Sequence, residues 1–254
     1  MNREAYRERV KVSVIMPAYN EEGYIEECFN RVVNVLKDYG EPFEVILEED
    51  GSTDETPRII DKLASEHPFV KALHYPKRMG KGFGIKRCLE AAEGEYIVLI
   101  DSDMEYPPEK IPELLKGFDQ YDIVIGFRSV WESKDEKGKK RTRALLSRLY
   151  LKLMKALFDV ELQDIQSGLK AFKREVIEYT KPLYSDGFEI DTEIVIKALK
   201  GGYKVGFIPI TYTYKGESKV NIFTDPVKML FSILKWRMRR RFNHNHREEL
   251  GGEP

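Results

Sequence analysis

Three carboxylates follow an apolar run near the middle of the chain. The run Tyr96–Ile100 ends at Asp101, and Asp103 and Glu105 follow at alternate positions. Carboxylate oxygens suit Mg²⁺ or Mn²⁺, ions that usually complete their coordination with substrate phosphates. The same residues would also serve as an acidic turn before a helix, since two prolines follow shortly. A metal site is therefore a hypothesis that the rest of the chain has to support.

The run before Asp101 has no polar alternation, which is typical of a strand buried on both faces of a parallel sheet. The preceding chain repeats the pattern of strand, polar turn and helix. We predict strands at Val10–Met16, Phe43–Glu48, Val70–His74 and Tyr96–Ile100, and helices near 22–37, 56–66 and 81–92. This alternation favours an α/β fold with a mostly parallel central sheet and helices on both faces. Ligands of such sheets bind beyond the carboxyl ends of the strands.

The second half of the chain is more charged and less regular. We predict strands at Asp122–Gly126 and Lys204–Thr211, a turn and strand over 164–172, and helices over 143–158 and 192–200. The charged stretch 131–143 is expected to be mobile or ordered only with ligand. Asp191 is a natural N-cap for the last of these helices.

The Gly-rich turn 79–84 lacks both the P-loop ending and the spacing of a dinucleotide fingerprint. It predicts either a tight turn into a helix or, with Lys81 beside it, a contact with phosphate.

Length and composition narrow the class of protein. A chain of 254 residues with 42% hydrophobic residues fits one large α/β domain. Cys28 and Cys88 form no CxxC or Cys/His cluster, so neither a zinc site nor a disulfide scaffold is expected, and a reducing cytoplasm is the natural compartment. No signal-peptide pattern and no apolar run of about 20 residues occurs, so no membrane span is expected.

Basic residues are concentrated in two late segments, 139–155 and 225–242. The second interleaves them with apolar residues, including Trp236, and is too short to cross a bilayer. We predict a domain over 1–222 and a basic amphipathic helix and tail over 223–254 that lies on the membrane surface. The alternative is packing on its own domain or on a partner subunit. Nucleic-acid binding is not expected, because no recognition motif accompanies the charge.

Six motifs occur in a fixed order: VSVIMPAYNEE, EEDGSTDET, the Gly-rich turn after Lys77, IDSDMEYPPE, DIQSG and GESK. On these motifs the chain resembles family 2 glycosyltransferases, and most of all the dolichol-phosphate (polyprenol-phosphate) mannose and glucose synthases. The resemblance covers about Lys11 to Trp236. It implies the GT-A nucleotide-diphospho-sugar transferase fold.

The resemblance also implies roles for individual residues. The residues implied in the nucleotide pocket are Pro17, Ala18, Tyr19, Glu21 and Asp50. The implied ligands of Mg²⁺ or Mn²⁺ are Asp101, Asp103 and Glu105. The residues implied around the acceptor phosphate and the donor sugar are Arg128, Gln166, Ser167, Gly168, Glu189, Asp191, Glu193, Ser218 and Lys219. Among these, Arg128, Asp191 and Lys219 join the two DxD aspartates as candidate catalytic residues.

Two positions depart from the family pattern. Glu49 stands where the family usually has Asp, which would affect nucleotide choice or merely face solvent. Thr213 and Tyr214 stand where the family tends to have Arg before GxSK. Lys215 would supply that charge, though as a point charge and not as a bidentate fork.

The resemblance implies an inverting transfer of hexose from GDP-mannose or UDP-glucose to dolichyl or polyprenyl phosphate. Such an acceptor is already anionic near neutral pH and needs no strong base. One alternative is a hydroxyl acceptor on a glycan or small molecule, with Asp191 or Glu189 as base. A second is a nucleotide-sugar-binding subunit without turnover. The first reading places the protein on the cytoplasmic face of a membrane, alone or with a membrane partner subunit.

Overall fold

The computed structural model describes residues 10–133, 150, 152–159, 164–215, 229–233 and 235. Within them, the strands are β1 Val12–Ala18, β2 Phe43–Glu49, β3 Val70–His74, β4 Tyr96–Ile100, β5 Ile123–Ser133, β6 Leu169–Lys173 and β7 Val205–Tyr214. The helices bounded within these residues are α1 Ile25–Tyr39, α2 Thr56–Glu66, α3 Lys81–Ala91, α4 Ile111–Lys116, α5 Arg174–Thr180 and α6 Ile190–Lys200. Residues 152–158 are also helical, in agreement with the described part of the predicted helix over 143–158. The strands form one sheet in the order β3-β2-β1-β4-β6-β5-β7.

Neighbouring strands run parallel except where β6 is involved, because β6 is antiparallel to both β4 and β5. The predicted α/β class with a mostly parallel sheet is confirmed. The reversed direction of β6 means that its first residues lie at the edge where β4 ends, with Leu169 opposite Ile100. The turn before β6 therefore reaches the edge that carries Asp101.

Helices cover both faces of the sheet, as predicted. Along β1, Val14 and Met16 belong to one buried cluster and Ile15 to the other, since alternate side chains point to opposite faces. The first cluster includes residues of α1, α2 and α4, and the second includes residues of α3, α5 and α6. α1 presents apolar residues at helical spacing and ends at Gly40, whose φ of 83° is left-handed.

Several boundaries differ from the predicted ones. β1 begins at Val12 instead of Val10 and continues to Ala18, because both of its neighbours pair with it from Val12 onward. β5 continues past Gly126 to Ser133, since β7 runs beside it to Tyr214. The first residues of the predicted mobile stretch are thus a strand, and 134–149 lie outside the described residues.

The predicted cap of α6 is wrong. The helix begins at Ile190, so Glu189 occupies the capping position and Asp191 lies inside the first turn. The carboxylate of Asp191 is within 3.1 Å of the Lys170 ammonium, across from the helix. Because it lies inside the helix, Asp191 does not cap it, and its carboxylate pairs with the buried lysine instead.

Part of the predicted amphipathic tail is described. Residues 229–233 are helical. Met229 and Ile233 are buried, whereas Phe231 is 68% exposed. One side of this segment therefore packs on the domain and the other faces solvent, while most of 223–254 lies outside the described residues. Within the described part of the chain, no helix has both the length and the apolar character needed to cross a membrane.

Candidate active site

Asp101 lies directly after β4 and contacts the turn that precedes β6. Its backbone N–H donates a hydrogen bond to the carbonyl oxygen of Gly168 at 3.0 Å. A Cβ on Gly168 would overlap the Asp101 carboxylate and the Tyr106 ring. The DxD segment and the predicted acceptor turn can approach this closely only because position 168 is glycine.

Lys81 brings a third predicted segment to the same carboxylate. It is the first residue of α3, and its Nζ lies 2.6 Å from Asp101 Oδ1. The side chains of Lys81 and Asp101 are 16% and 23% exposed, so water screens the pair only weakly. The Gly-rich turn and the DxD segment, distant in sequence, meet here.

Asp103, the second predicted ion ligand, has a raised pKa. Burial, and then the negative charges of Asp101 and Glu105, raise the pKa of Asp103 to about 8. A divalent cation would relieve this repulsion, and carboxylate oxygens are the ligands that Mg²⁺ and Mn²⁺ take. The residues present therefore fit such an ion. In the part of the chain that the structure describes, no three His, Cys, Asp or Glu side chains are already arranged around one ion position.

Glu105, the third predicted ligand, is bound to the end of β7. Its Oε2 accepts a hydrogen bond from the Tyr212 hydroxyl, and its Oε1 accepts one from the Lys215 N–H at 3.1 Å. Its carbonyl oxygen accepts a third from the Thr213 N–H at 3.0 Å. These bonds give Glu105 a role in placing β7, and its contact with an ion stays a prediction. Lys215 follows β7, while Ser218 and Lys219 lie outside the described residues.

The predicted nucleotide pocket is formed at the ends of β1 and β2. Asp50 is buried, and its carboxylate accepts hydrogen bonds from the backbone N–H groups of Met79 and Gly80. The Arg78 guanidinium lies 4.1 Å from the centre of the Tyr19 ring. Arg78 is, with Lys77 and Lys81, one of the basic residues beside the Gly-rich turn for which the sequence left a contact with phosphate open.

Other residues of this pocket are fixed by backbone contacts. Ser102 Oγ donates to the Pro17 carbonyl oxygen at 3.0 Å, next to Ala18 at the end of β1. The Glu21 N–H donates to Thr56 Oγ1 at 2.8 Å. These bonds tie the first motif to the DxD segment and to the start of α2.

The departure at Glu49 is structural. Glu49 is 3% exposed, so it does not face solvent. Its Oε1 accepts a hydrogen bond from the Ser52 N–H, and its Oε2 lies 3.6 Å from His74 Nδ1. The longer side chain therefore closes its own turn and reaches β3.

In the region predicted to bind the acceptor phosphate, Arg128 already has an anionic partner. Its guanidinium donates two hydrogen bonds to the Asp164 carboxylate, and its backbone N–H donates a third at 3.0 Å. Gln166 Nε2 lies 3.9 Å from the Met229 sulfur. Asp164 was absent from the predicted site because its acidic side chain gave no sign that it would face an arginine.

The acidic segment at the start of α6 divides into separate contacts. Glu189 accepts a hydrogen bond from the Gly187 N–H at 3.3 Å. Glu193 accepts from the N–H groups of Tyr184 and Ser185 and pairs with Lys197 at 2.5 Å. Glu193 therefore holds the turn before the helix, which leaves the two preceding acidic residues as the site candidates.

The Gly-rich turn packs against that same loop. The N–H groups of Gly82 and Phe83 both donate to the Asp186 carbonyl oxygen. These amides at the start of α3 are used within the protein, so the tight-turn interpretation holds for them. Beneath Gly84 lies Glu48, which is fully buried, and neither of its carboxyl oxygens has a hydrogen-bond partner in the described part of the chain. Burial, and then Asp50 and Glu49, raise the pKa of Glu48 to about 8, against the opposing charge of Lys81.

Comparisons with known proteins give consistent matches. The family model described as "Glycosyl transferase family 2" matches residues 13–180. The chain is 35% identical over 231 residues to "Glycosyltransferase AglD" of Haloferax volcanii, covering 89% of this chain and 37% of the relative. It is 33% identical over 239 residues to a "Dolichol-phosphate mannosyltransferase" of Pyrococcus furiosus, covering 89% of this chain and 64% of the relative. The chain thus spans less than two thirds of the length of these relatives.

Solved structures share the fold. Glucosyl-3-phosphoglycerate synthase from Mycobacterium tuberculosis, in complex with Mg²⁺ and uridine diphosphate, superposes with a TM-score of 0.67 at 22% sequence identity. The match covers 92% of this chain and 81% of the other.

Proposed function

This chain belongs to glycosyl transferase family 2, and from that membership we propose that it is an inverting, metal-dependent hexosyltransferase. The donor is a nucleotide sugar, GDP-mannose or UDP-glucose, and the acceptor is dolichyl or polyprenyl phosphate. The relative named as a dolichol-phosphate mannosyltransferase supports this acceptor. The neighbouring structure that contains Mg²⁺ and uridine diphosphate supports the donor class and the ion.

The observation that carries the proposal is the meeting of three segments at one carboxylate. Asp101 is 2.6 Å from the Lys81 ammonium, and its N–H is bonded to Gly168. The donor diphosphate and the incoming phosphate both have to reach this point for transfer. Charged groups held in a partly buried cleft stabilise developing charge better than groups that water must first reorient around.

In the proposed reaction, an oxygen of the acceptor phosphate attacks the anomeric carbon while the bond to the nucleoside diphosphate breaks on the opposite face. Configuration at that carbon is inverted. Asp103, with Asp101 and Glu105, would hold Mg²⁺ or Mn²⁺, and the bound ion would neutralise charge on the leaving diphosphate. Arg128 and Lys219 hold the incoming phosphate in line, and much of the rate gain comes from this positioning.

We assign residues 1–222 to the catalytic unit and 223–254 to contact with the cytoplasmic face of a membrane. The basic and apolar composition of the tail and the exposure of Phe231 support this division. Replacing Trp236, Arg239 and Arg240 by Ser, Glu and Glu is expected to abolish sedimentation with anionic vesicles and to lower activity on lipid phosphate. Activity that stays unchanged on lipid phosphate would contradict the membrane role.

The deciding experiment is a donor panel with Mn²⁺ or Mg²⁺. GDP-mannose, UDP-glucose, UDP-galactose and UDP-N-acetylglucosamine are each offered with and without a short polyprenyl phosphate. Release of nucleoside diphosphate from one donor, dependent on the lipid phosphate, is the expected result. Turnover only with a glycan hydroxyl or with 3-phosphoglycerate would overturn the acceptor. Full activity of Asp103→Asn would overturn the assignment of the ion ligand.

A further inference from the structure

Lys170 is a completely buried lysine that the proposed mechanism does not use. It belongs to β6, and none of its side-chain surface is exposed. Its Nζ lies 3.1 Å from Asp191 Oδ1 and donates a hydrogen bond to the Ser167 carbonyl oxygen. Lysine is almost never fully buried unless it is paired. The question is what this particular pair contributes.

The direction of β6 puts Lys170 between two parts of the site. Leu169 and Ala171 join the cluster under α1, whereas Phe172 joins the cluster under α6. Lys170 therefore shares the α6 side of the sheet with Phe172. From there its ammonium reaches the first turn of α6 and also the turn that precedes β6. One cation thus ties together the two segments expected around the donor sugar and the acceptor.

A second, largely buried cation, Lys81, pairs with the other carboxylate of the site, Asp101, at 2.6 Å. Burial lowers the pKa of Lys170, and the charge of Asp191 opposes that effect. Each of the two carboxylates thus has its own lysine, Lys81 on Asp101 and Lys170 on Asp191.

We propose that Lys170 is a positioning residue that fixes the Asp191 carboxylate for contact with the donor sugar. This inference rests on the proposed function, in which Asp191 lies beside the sugar. A carboxylate recognises sugar hydroxyls only when its oxygens are held in one orientation, and side chains locked by neighbouring contacts provide that order. Lys170 acts through Asp191 and does not itself touch the substrate.

The test separates binding of the sugar from binding of the diphosphate. Calorimetry with Mn²⁺ is run on wild type, Lys170→Met, Lys170→Arg and Asp191→Asn, using UDP, GDP, UDP-glucose and GDP-mannose as probes. Lys173→Met is the matched control. Lys173 lies on the same strand, but its Nζ pairs with Asp122 Oδ1, 2.8 Å away, and not with a residue of the site.

Lys170→Met is expected to bind the nucleoside diphosphate within about twofold of wild type and the intact nucleotide sugar at least about tenfold more weakly, the size of one lost charged hydrogen bond. Asp191→Asn is expected to show the same selective loss of nucleotide-sugar affinity as Lys170→Met. Lys170→Arg is expected to recover most of that affinity. Lys173→Met is expected to bind both the diphosphate and the nucleotide sugar as wild type does. If Lys170→Met instead loses affinity for the diphosphate and for the nucleotide sugar equally, Lys170 has only a structural role, which would overturn the inference.

The double variant Lys170→Met/Asp191→Asn guards against poor folding, because it leaves no orphaned buried charge. If Lys170 acts only through Asp191, the double variant matches Asp191→Asn alone. Additional loss of nucleotide-sugar affinity would contradict the inference. Wild-type affinity in Asp191→Asn would instead refute the role that the proposed function gives to Asp191. A weakened Asp191→Asn beside an unaffected Lys170→Met would refute only the role of Lys170.

Discussion

Two acidic side chains that follow β2 and β4 are bound to backbone N–H groups, whereas three around β6 and α6 pair with basic side chains. Asp101, which also follows β4, is the exception on the first side because it pairs with Lys81. Asp50 accepts from Met79 and Gly80, and Asp103 accepts from Glu105. On the other side, three pairs join an acidic residue to a basic one. They are Arg128–Asp164, Lys170–Asp191 and Lys197–Glu193.

The two arrangements respond differently to substitution. Backbone amides that lose a carboxylate still have the option of water or of a neutral acceptor. A buried cation that loses its carboxylate has no equivalent replacement, because the desolvated charge remains. We call the region after β2 and β4, which is predicted to bind the nucleotide, the nucleotide side, and the region around β6 and α6 the acceptor side. Neutral substitution of the residues bound to backbone N–H groups on the nucleotide side should lower the free energy of unfolding less than neutral substitution of the paired residues on the acceptor side.

The largest effect is expected from Asp164→Asn. It leaves the Arg128 guanidinium, 17% exposed, without its anionic partner. The free energy of unfolding in urea is expected to fall by about 3 kcal/mol or more, which is typical of a broken buried pair. Asp122→Asn, which breaks the more exposed pair with Lys173, is the control. Equal losses in the two variants would remove the distinction between the two sides of the site.

Glu48→Gln examines a buried acidic residue whose two carboxyl oxygens have no hydrogen-bond partner in the described part of the chain. Since the folded-state pKa of about 8 lies above the usual value of 4.5, the unfolded chain loses this proton first. Wild-type stability should therefore fall as pH rises from about 5 to 8. Gln has no such proton, so its advantage over wild type should grow by up to about 1.4 kcal/mol per pH unit in that window.

Urea unfolding of wild type and Glu48→Gln at pH 5, 6.5 and 8 measures this change, and the fixed cost of the buried amide cancels between pH values. A difference that stays constant across the window would show that Glu48 is ionised in the folded protein. The buried carboxyl would then resemble the paired residues of the acceptor side.

Asp50→Asn is expected to have the smallest effect of the three. Its side-chain oxygen still accepts from Met79 or Gly80, so the free energy of unfolding should fall by only about 1–2 kcal/mol. The control is Glu90→Gln, which removes the exposed pair between Glu90 and Arg87. Thermal unfolding measures both variants, and it should place this control within about 0.5 kcal/mol of wild type. A loss as large as that of Asp164→Asn would mean that the nucleotide side is just as dependent on charge.

Local sequence pattern sufficed where the segment is self-contained. Tyr96–Ile100 and Thr56–Glu66 have the predicted bounds, because turn residues delimit an uninterrupted apolar strand in one case and an amphipathic helix in the other. The order of motifs led to the fold and to the family, and both are confirmed. The approach of Lys81 and Gly168 to Asp101 agrees with the expected convergence at the sheet edge.

The pattern failed where distant strands decide the outcome. β5 and β7 extend each other beyond their predicted ends through mutual pairing. In the sequence, Lys170 is a single charged residue within a short apolar strand. Only the antiparallel pairing of β6 with its neighbours shows that Lys170 faces α6 and contacts Asp191. Glu105 and Asp164 likewise find their partners through contacts between segments far apart in the sequence.

The reversed direction of β6 also determines where the connection between β5 and β6 lies. β5 leaves the sheet and β6 re-enters it at the same edge, so the connection between Ser133 and Leu169 begins and ends beside the site. Grafting this connection from a relative would exchange the segment that includes Asp164 and Gly168 while β1 to β4 stay unchanged. The sequence that contacts Asp101 from this side can thus vary without any change in the four strands that precede it.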